Sequence, residues 1–439
     1  MKRSPVSLFM ILLVICLCLF TGCDDVAQTN TPEYLFTSSD LEKYTIIYPI
    51  DNSDYYDFAI QLADQILENY GLVLNVLPDA ISPVSQYEIL FGNTNRELHQ
   101  NRIMEYSVTV SDGKVQINVG GSFSAEKAVA YLCRTVFNGQ EFSLSSGTHA
   151  QKILMTQRCP VTEGAGARIM TANILADAFA DSSYKNANYR AEIFAGMLIA
   201  YTPDILGLQE SDESWDDVLD SYLVTIRDSY GIAYTRLLSS YEGKTNYTSL
   251  LYRSDKFNVD DSGLTAFSWW VDPLFNHSYH MRNITWAKFS SLENPSEEFV
   301  VANTHWSYRT EHANGTTYLA EASSPIATNE LRNQCRQETY AILESIRQEY
   351  AEIPLLLVGD FNTSLSFFTQ SGWTPPSFSI ISEEAKNNGT ALVSVPDSGH
   401  YDHLFGTGNY TIGRYEYVKN VNSSELLTDH PFAYADLFF

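Results

Sequence analysis

The stretch LLLVGDFN, residues 355–362, decides the fold assignment. Its four leading apolar residues predict a buried strand, and Gly359 permits a tight exit from that strand. Asp360 and Asn362 are two residues apart, so they share one face of an extended chain. An acid and an amide side by side can polarise a water molecule and hydrogen-bond a phosphoryl oxygen. The alternative for this segment alone is a turn in which an aspartate caps its own backbone.

The same pattern, an apolar run followed by a polar side chain, recurs along the chain. Residues 205–210 (ILGLQE) end in Glu210, and hard divalent cations such as Mg²⁺ prefer one or two carboxylates with water and phosphate oxygens. Several strand ends of this kind can converge on one pocket. The other pieces are Asn173 after residues 168–172, His305 after 298–304, Asp402 within 399–405, and Asp429 and His430 before 432–438.

His430 is the candidate general acid or base, because imidazole titrates near neutral pH. A histidine in that role usually needs a carboxylate to orient it, and Asp402 is the candidate. His305 offers a second imidazole donor to phosphate.

Strands and helices alternate from residue 168 onward. We predict strand 168–173, helix 187–201, strand 204–209 and helix 213–228, followed by a strand-rich region over 233–303. A long helix over 331–350 and a strand over 354–358 come next. This order is typical of an α/β domain.

The ordered set of motifs resembles the endonuclease/exonuclease/phosphatase superfamily, which includes deoxyribonuclease I, AP endonucleases, inositol polyphosphate 5-phosphatases and bacterial sphingomyelinases. The resemblance covers residues 168–439, and residues 281–289 resemble the central strand of that family. It implies a four-layer α/β sandwich, in which two packed, mostly antiparallel sheets are flanked by helices. It also implies metal-dependent hydrolysis of a phosphoric ester.

The resemblance implies a metal centre formed around Glu210, which would bind Mg²⁺, with Mn²⁺ as an alternative. Asn173 and Asp429 would lie near the metal. These three positions match the family motifs residue by residue.

The resemblance also assigns catalytic roles. Asp360 would position or deprotonate the attacking water, and Asn362 and His305 would hold phosphate oxygens. His430, oriented by Asp402, would act as the general base or stabilise the pentacovalent transition state.

His305 also bears on the branch of the family, because AP endonucleases usually carry tyrosine at that position. Histidine is typical of the branch with deoxyribonuclease I, 5-phosphatases and sphingomyelinases. The polar loop over 306–330 is a candidate for substrate recognition, with a solvated loop as the alternative; its notable residues are Tyr308, Arg309, His312 and Tyr318. Trp269 and Trp270 are interpreted as core residues or as a lipid or sugar contact.

Residues 1–23 have the features of an export signal. Lys2 and Arg3 precede an apolar run over 8–20, and the ending FTGC resembles a bacterial lipoprotein box with Cys23 as the lipidated residue. The alternative is an ordinary cleaved signal peptide. Residues 24–40 would then form a polar tether, so we expect an exported lipoprotein on the extracellular face of the membrane.

Residues 41–156 read as a small α/β domain with a hairpin at 111–114, and residues 157–167 as a linker. The domain resembles the small domain that precedes some bacterial polysaccharide-degrading enzymes, where a strand followed by a turn like GNTNR (92–96) recurs. It would serve as a spacer or attach the protein to surface carbohydrate.

The chain is strongly acidic, with 27 Lys and Arg against 53 Asp and Glu and a formal net charge of −26. Residues 168–439 alone hold 17 basic and 35 acidic residues by count. Nonspecific DNA binding needs the opposite balance, so a small or membrane-derived phosphoester is favoured over nucleic acid. An extracellular nuclease and a non-catalytic carbohydrate-binding surface protein remain alternatives, and we expect a monomer.

Cysteine usage gives neither a disulfide framework nor a zinc pattern. Beyond the leader only Cys133, Cys159 and Cys335 remain. One pair could form a bridge, or all three could be buried thiols.

Overall fold

The computed structural model describes residues 34–50, 53–96, 102–155, 158–177, 180, 183–241, 244–268, 282–306, 325–371, 377–392, 400–418 and 427–439. The predicted leader with Cys23, the Trp269–Trp270 pair and the loop residues Tyr308, Arg309, His312 and Tyr318 lie outside these ranges. None of the described helices is long and apolar enough to cross a membrane.

The N-terminal domain is a six-stranded mixed sheet with two helices packed on one face. The strands lie in the order β3-β2-β4-β6-β5-β8. Their bounds are β2 Thr45–Tyr48, β3 Asn75–Pro78, β4 Glu88–Phe91, β5 Glu105–Ser111, β6 Lys114–Val119 and β8 Gly147–Ile153, and the helices are α1 Ser53–Tyr70 and α2 Ser122–Thr135. The predicted hairpin is the β5–β6 pair. Both helices contribute to one apolar core beneath the sheet.

The prediction that residues 24–40 form a tether was wrong for residues 35–40. Strand β1, Leu35–Thr37, pairs with β7, Ser143–Ser145, and a 3-10 helix follows over Ser38–Lys43. Phe36 and Leu41 are fully buried. Burial of these two apolar side chains draws the segment into the core of the domain.

The C-terminal domain contains two six-stranded sheets packed face to face. The first has the order β11-β14-β10-β9-β22-β21 and the second β15-β16-β17-β18-β20-β19. The first consists of β9 Ala167–Asn173, β10 Ile205–Gln209, β11 Tyr234–Leu237, β14 Leu250–Arg253, β21 Thr411–Val418 and β22 Phe432–Phe438. The second consists of β15 Phe257–Ala266, β16 Asn283–Ser291, β17 Glu298–His305, β18 Leu355–Asp360, β19 Ser379–Ile380 and β20 Asp402–Thr407. A short hairpin joins β12, Ser240–Tyr241, to β13, Lys244–Thr245.

Helices cover both outer faces and complete the predicted four-layer α/β sandwich. Helices α3, Ala187–Tyr201, and α4, Glu213–Tyr230, pack on the first sheet, and α5, Pro325–Glu349, packs on the second. Two short helices follow, α6 Leu365–Ser371 and α7 Ile381–Asn388. Helix α5 begins six residues earlier than predicted. The described cysteines Cys133, Cys159 and Cys335 are free thiols.

The two sheets approach closely at Gly207 in the middle of β10. A Cβ atom there would lie 2.5 Å from Val358 Cγ2 and 2.6 Å from Asn303 Oδ1. Only glycine fits, so this position sets the spacing between the strands that carry Glu210 and Asp360.

Strand direction brings the polar strand ends to one edge of the sandwich. β9 and β10 are parallel, and so are β17 and β18. In the second sheet His305 lies opposite Asp360, and Asp360 lies opposite Asp402. Three predicted site residues therefore share one level across three adjacent strands.

The predicted linker is packed against the C-terminal domain. The buried Arg168 guanidinium donates to the carbonyl oxygens of Cys159 at 2.8 Å and Pro160 at 3.0 Å. It also forms a buried ion pair with Asp436.

Candidate active site

Asp360 lies at the centre of the site. Its Oδ2 is 3.0 Å from Asn173 Nδ2, 3.2 Å from His305 Nε2 and 3.8 Å from His430 Nε2. Only 1% of the residue is exposed. One carboxylate therefore contacts side chains delivered by three other strand ends.

Glu210 is the second carboxylate of the site, and its side chain is 13% exposed. Asn173 Nδ2 donates to Glu210 Oε1 at 3.0 Å as well as to Asp360, so this amide bridges the two acids. The Asn173 Oδ1 atom accepts from the Leu175 backbone N–H. Asn173 thus holds the two carboxylates together, and its own oxygen is committed to the backbone.

Two site residues have left-handed backbone conformations directly after their strands. Glu210 has φ 61° and Asn362 has φ 49°. This conformation is uncommon for glutamate, and such strain concentrates at functional sites. The backbone N–H of Ala176 donates to Glu210 Oε2 at 3.1 Å and fixes the turned side chain.

Asn362 takes part in both arrangements considered from its sequence. Its backbone N–H donates to Asp360 Oδ1 at 2.8 Å, which is the aspartate turn given as the alternative for this segment. Its side-chain Nδ2 lies 3.1 Å from His305 Nε2 and donates to the Trp306 carbonyl oxygen at 2.7 Å. The turn therefore places the amide beside an imidazole of the site.

His430 and Asp402 form a close pair on the other side of Asp360. His430 Nδ1 lies 2.6 Å from Asp402 Oδ2. Burial raises the pKa of Asp402 to about 7, although His430 opposes this shift. Burial lowers the pKa of His430, but Asp402 and Asp360 together raise it well above the usual value. At neutral pH the His430 imidazole is therefore the protonated, positively charged partner, and its Nδ1–H donates to Asp402 Oδ2.

Asp360 and His305 both have lowered pKa values, for different reasons. Burial tends to raise the pKa of Asp360, but the neighbouring His430 and His305 lower it by more. The net pKa is therefore below the usual value. Burial and the Arg282 charge lower the pKa of His305. At neutral pH Asp360 is ionised and His305 is uncharged.

The donor set fits a divalent metal ion. Ligand atoms of Glu210, His305 and Asp360 lie within 4.8 Å of one another, and so do those of Asp360, Asp402 and His430. Among the described residues, His305 Nδ1 and Asp402 Oδ1 are buried without a hydrogen-bond partner. Buried carboxylates that face each other need a cation or a proton between them, and carboxylate oxygens are the ligands Mg²⁺ prefers.

The structure brings together seven of the eight predicted site residues: Asn173, Glu210, His305, Asp360, Asn362, Asp402 and His430. Asp429 borders this group: its Oδ1 lies 3.9 Å from His430 Nε2, but its carboxylate is 52% exposed. Its carboxylate is absent from both groups of converging ligand atoms found among the described residues. Trp306, the first residue of the proposed recognition loop, is only 1% exposed and packs against Phe361 in the core.

A buried amide network beneath the site was missed in the sequence. Gln209 Nε2 donates to Asn303 Oδ1 at 2.7 Å, and Asn303 Nδ2 donates to the carbonyl oxygens of Leu208 and Ser249 at 2.8 and 2.9 Å. Gln209 and Asn303 precede Glu210 and His305 by one and two residues. The signal was present, because both amides interrupt otherwise apolar strands.

Buried carboxylates and imidazoles at one edge of a four-layer α/β sandwich are typical of enzymes that cleave phosphoric esters with a metal ion. The chain belongs to the Endonuclease/Exonuclease/phosphatase family, whose sequence profile matches residues 170–430. Members of this superfamily are metal-dependent phosphoesterases or nucleases.

Solved structures similar to this chain come from bacteria and animals. An endonuclease/exonuclease/phosphatase from Bacteroides vulgatus is 23% identical, with a TM-score of 0.46 over 62% of this chain and 98% of its own. The mannosyl-6-phosphatase of Bacteroides thetaiotaomicron is 16% identical, with a TM-score of 0.42 over 62% and 100%. D. rerio TDP2, complexed with a single-strand DNA product, is 16% identical, with a TM-score of 0.43 over 62% and 99%. No curated protein matches this chain.

Proposed function

We propose that this protein is a Mg²⁺-dependent phosphoesterase that hydrolyses a phosphodiester or phosphomonoester by attack of water. The observation that carries the proposal is the pair of overlapping ligand groups that share Asp360, each with donor atoms within 4.8 Å. The two groups place acids, a neutral imidazole and a protonated imidazole around one small volume. That combination can bind a cation, orient a phosphate and move a proton.

The described side chains divide this chemistry between them. Glu210, Asp360 and His305 would hold the metal ion, which when bound supplies positive charge for the phosphoryl oxygens. Asp360 is ionised and can accept a hydrogen bond or a proton from the attacking water. His430 carries a proton at neutral pH and can donate through Nε2 to a phosphoryl or leaving oxygen. Asn362 Nδ2 offers a further donor beside His305.

The charge around the site supports a small or membrane-derived substrate over nucleic acid. Helix α4 begins three residues after Glu210, and its start carries a dense acidic sequence: Asp212, Glu213, Asp216, Asp217 and Asp220. Nucleic acid would have to approach this surface against its charge. The Tyr401 side chain, 38% exposed, has its ring centroid 6.2 Å from that of His430 and offers an apolar surface for the rest of the substrate.

We also propose that the protein is exported and held on the extracellular face of the membrane through a lipidated Cys23. Residues 24–33 form the whole link to the first described residue, Tyr34. Fully extended, that link spans at most about 40 Å. The N-terminal domain would therefore stay close to the bilayer. Radiolabelled palmitate should label the wild-type protein but not Cys23→Ala, which should be released from the membrane fraction.

The activity is tested first with bis-p-nitrophenyl phosphate and Mg²⁺, using purified protein without the leader. Wild-type protein should show turnover that chelation abolishes and added Mg²⁺ or Mn²⁺ restores. His430→Ala should lose it, while His149→Ala, a matched change in the N-terminal domain, should retain it. A substrate panel then compares plasmid nicking with turnover of sphingomyelin and inositol phosphates.

The outcomes separate the alternatives. Metal-dependent turnover of a lipid head group or inositol phosphate without plasmid nicking supports the proposal. Efficient nicking at physiological salt would replace it with a nuclease. Glycan binding without hydrolysis of any panel substrate would overturn it in favour of a non-catalytic surface protein.

A further inference from the structure

Helix α3 is buried on all sides. Thirteen of the 15 residues in Ala187–Tyr201 are buried. An outer helix of a sandwich normally keeps a polar, exposed face. Here that face is covered by the N-terminal domain, so α3 is shared between the two domains.

The polar centre of this contact is Glu192. Its carboxylate is fully buried and accepts from the backbone N–H groups of Met104 and Ser124, each at 2.9 Å. Ser124 lies in the first turn of α2, where free N–H groups and the helix dipole favour an anion. At Gly121 a Cβ atom would lie 2.7 Å from Glu192 Oε2 and 2.0 Å from Tyr222 Oη, so the fit leaves no room for a side chain.

Apolar contacts surround this carboxylate. The rings of Phe123 and Tyr189 meet edge to face with centroids 5.5 Å apart. Met104 packs on Gly196 of α3, where a Cβ atom would lie 2.6 Å from Met104 Cγ. Both N-terminal-domain side chains belong to the same apolar core as the first sheet of the catalytic domain. A linked but separate module would not share its core.

Arg190, two residues before Glu192, faces the active-site loops. Its fully buried Nη1 donates to the carbonyl oxygens of Ile174 at 2.8 Å, Leu175 at 2.7 Å and Leu427 at 3.3 Å. Its Nη2 pairs with Asp177. One guanidinium therefore holds the loop after β9 and the segment before His430.

Both segments hold site residues directly. The Leu175 N–H donates to Asn173 Oδ1 at 3.0 Å, and the Ala176 N–H donates to Glu210 Oε2 at 3.1 Å. The Thr428 hydroxyl donates to the Asn173 carbonyl oxygen at 2.8 Å. A shift of α3 would thus move the groups that orient Glu210 and His430.

We propose that the N-terminal domain is a structural part of the catalytic unit, and that it positions the metal-binding side chains through Glu192 and Arg190 of helix α3. Arg190 is a positioning residue and does not touch substrate. The inference rests on the metal site of the proposed function but not on turnover, because Mn²⁺ affinity and hydrogen exchange are measured without catalysis.

The test compares two full-length variants, each of which loses one buried phenylalanine ring from the N-terminal domain. Phe123→Ala removes the ring that packs on Tyr189, and Phe91→Ala removes a ring from the core beneath the N-terminal sheet. Mn²⁺ affinity is measured by calorimetry and hydrogen exchange by mass spectrometry, at a temperature where both variants are folded. If alanine prevents folding, Phe123→Leu and Phe91→Leu replace the pair.

Phe123→Ala should weaken Mn²⁺ binding by about fivefold or more, within the usual range of coupling between sites. It should also speed exchange over residues 174–177 and 427–430. Phe91→Ala should leave both quantities within about twofold of wild type, below that coupling range. Equal effects of the two variants, or no effect of either, would overturn the inference. Absence of turnover in the wild type would contradict only the proposed function, because neither readout requires catalysis.

Discussion

His430 Nδ1 and Asp402 Oδ2 lie 2.6 Å apart in a pocket where Asp402 is fully buried and the His430 side chain is 13% exposed. The bond fixes the imidazole so that its other nitrogen, Nε2, faces Asp360 at 3.8 Å. Among the described residues, Asp402 Oδ1 has no partner, so the carboxylate orients His430 through this one contact. Orientation and charge at Nε2 therefore both depend on Asp402.

Asp402→Asn should lower kcat by about 10²- to 10⁴-fold, the usual contribution of a positioned acid or base. The amide preserves shape but removes the negative charge that holds a proton on His430. The measurement is kcat with bis-p-nitrophenyl phosphate at saturating Mg²⁺. The double variant Asp402→Asn/His430→Ala should be no slower than His430→Ala alone, because both residues act as one unit. Additive losses would show that Asp402 has a separate role.

Glu210→Gln should raise the Mg²⁺ concentration for half-maximal activity by at least about tenfold, since even outer contacts of a metal change affinity on that scale. The variant keeps the hydrogen bonds possible at Oε1 but loses one of the two carboxylates that Asn173 bridges. Titration of activity with Mg²⁺ and with Mn²⁺ measures the effect. Glu213→Gln is the matched control, because that residue lies three positions on and accepts from the Tyr247 hydroxyl at the surface. Equal titration curves for the two variants would exclude Glu210 from the metal site.

The polar strand ends of the site could be predicted from one physical rule, whereas the four-layer sandwich was implied by the resemblance to the family. Buried strands such as Leu355–Asp360 are apolar throughout, so a polar residue at the end is conspicuous. Strand direction then collects those ends at one edge. Asp429 lies in the loop before β22 rather than at a strand end, and its carboxylate is 52% exposed.

The contact between domains could not be predicted in the same way. Helix α3 was predicted, but the absence of a polar face along it was not interpreted. Arg190 and Glu192 are the charged residues in this otherwise mainly apolar sequence, and both are buried. Which surface covers such a helix depends on the fold of the preceding domain. The boundary at residue 40 failed for a related reason, because Leu35 and Phe36 make only a short apolar run and the burial of Phe36 depends on pairing with a distant strand.

Asn303→Leu should lower the free energy of unfolding by about 1–3 kcal/mol, because it removes the Oδ1 acceptor of Gln209 Nε2 and the amide donor to the Leu208 and Ser249 carbonyl oxygens inside the core. Urea denaturation of wild type and variant measures the loss. Asn258→Leu, at an exposed position of β15 in the same sheet, is the matched control and should change stability little. Gln209→Met combined with Asn303→Leu should cost less than the sum of the single changes, since the two amides are partners. Additive costs would contradict a shared network.

Glu192→Gln should gain stability relative to wild type as the pH rises. Burial raises the pKa of Glu192 above the ordinary 4.5, although hydrogen bonds from Ser124 and Met104 oppose the shift. Below pH 4.5 Glu192 is protonated in both the folded and the unfolded state, and its full contribution to the free energy of unfolding is present. Between 4.5 and the folded-state pKa only the unfolded state ionises, so wild type loses up to about 1.4 kcal/mol per pH unit.

Glutamine cannot ionise, so the free energy of unfolding of the variant lacks this dependence on pH. Apart from that, the two free energies differ by a constant amount, because an amide replaces the carboxyl as hydrogen-bond acceptor. Urea denaturation of both proteins from pH 4 to pH 8 measures the difference, in which all other titrating groups cancel. Glu68→Gln, at an exposed position of α1, should give a difference that is flat with pH. A flat difference for Glu192→Gln as well, or one that shrinks as the pH rises, would mean that this carboxyl is ionised at the domain contact throughout.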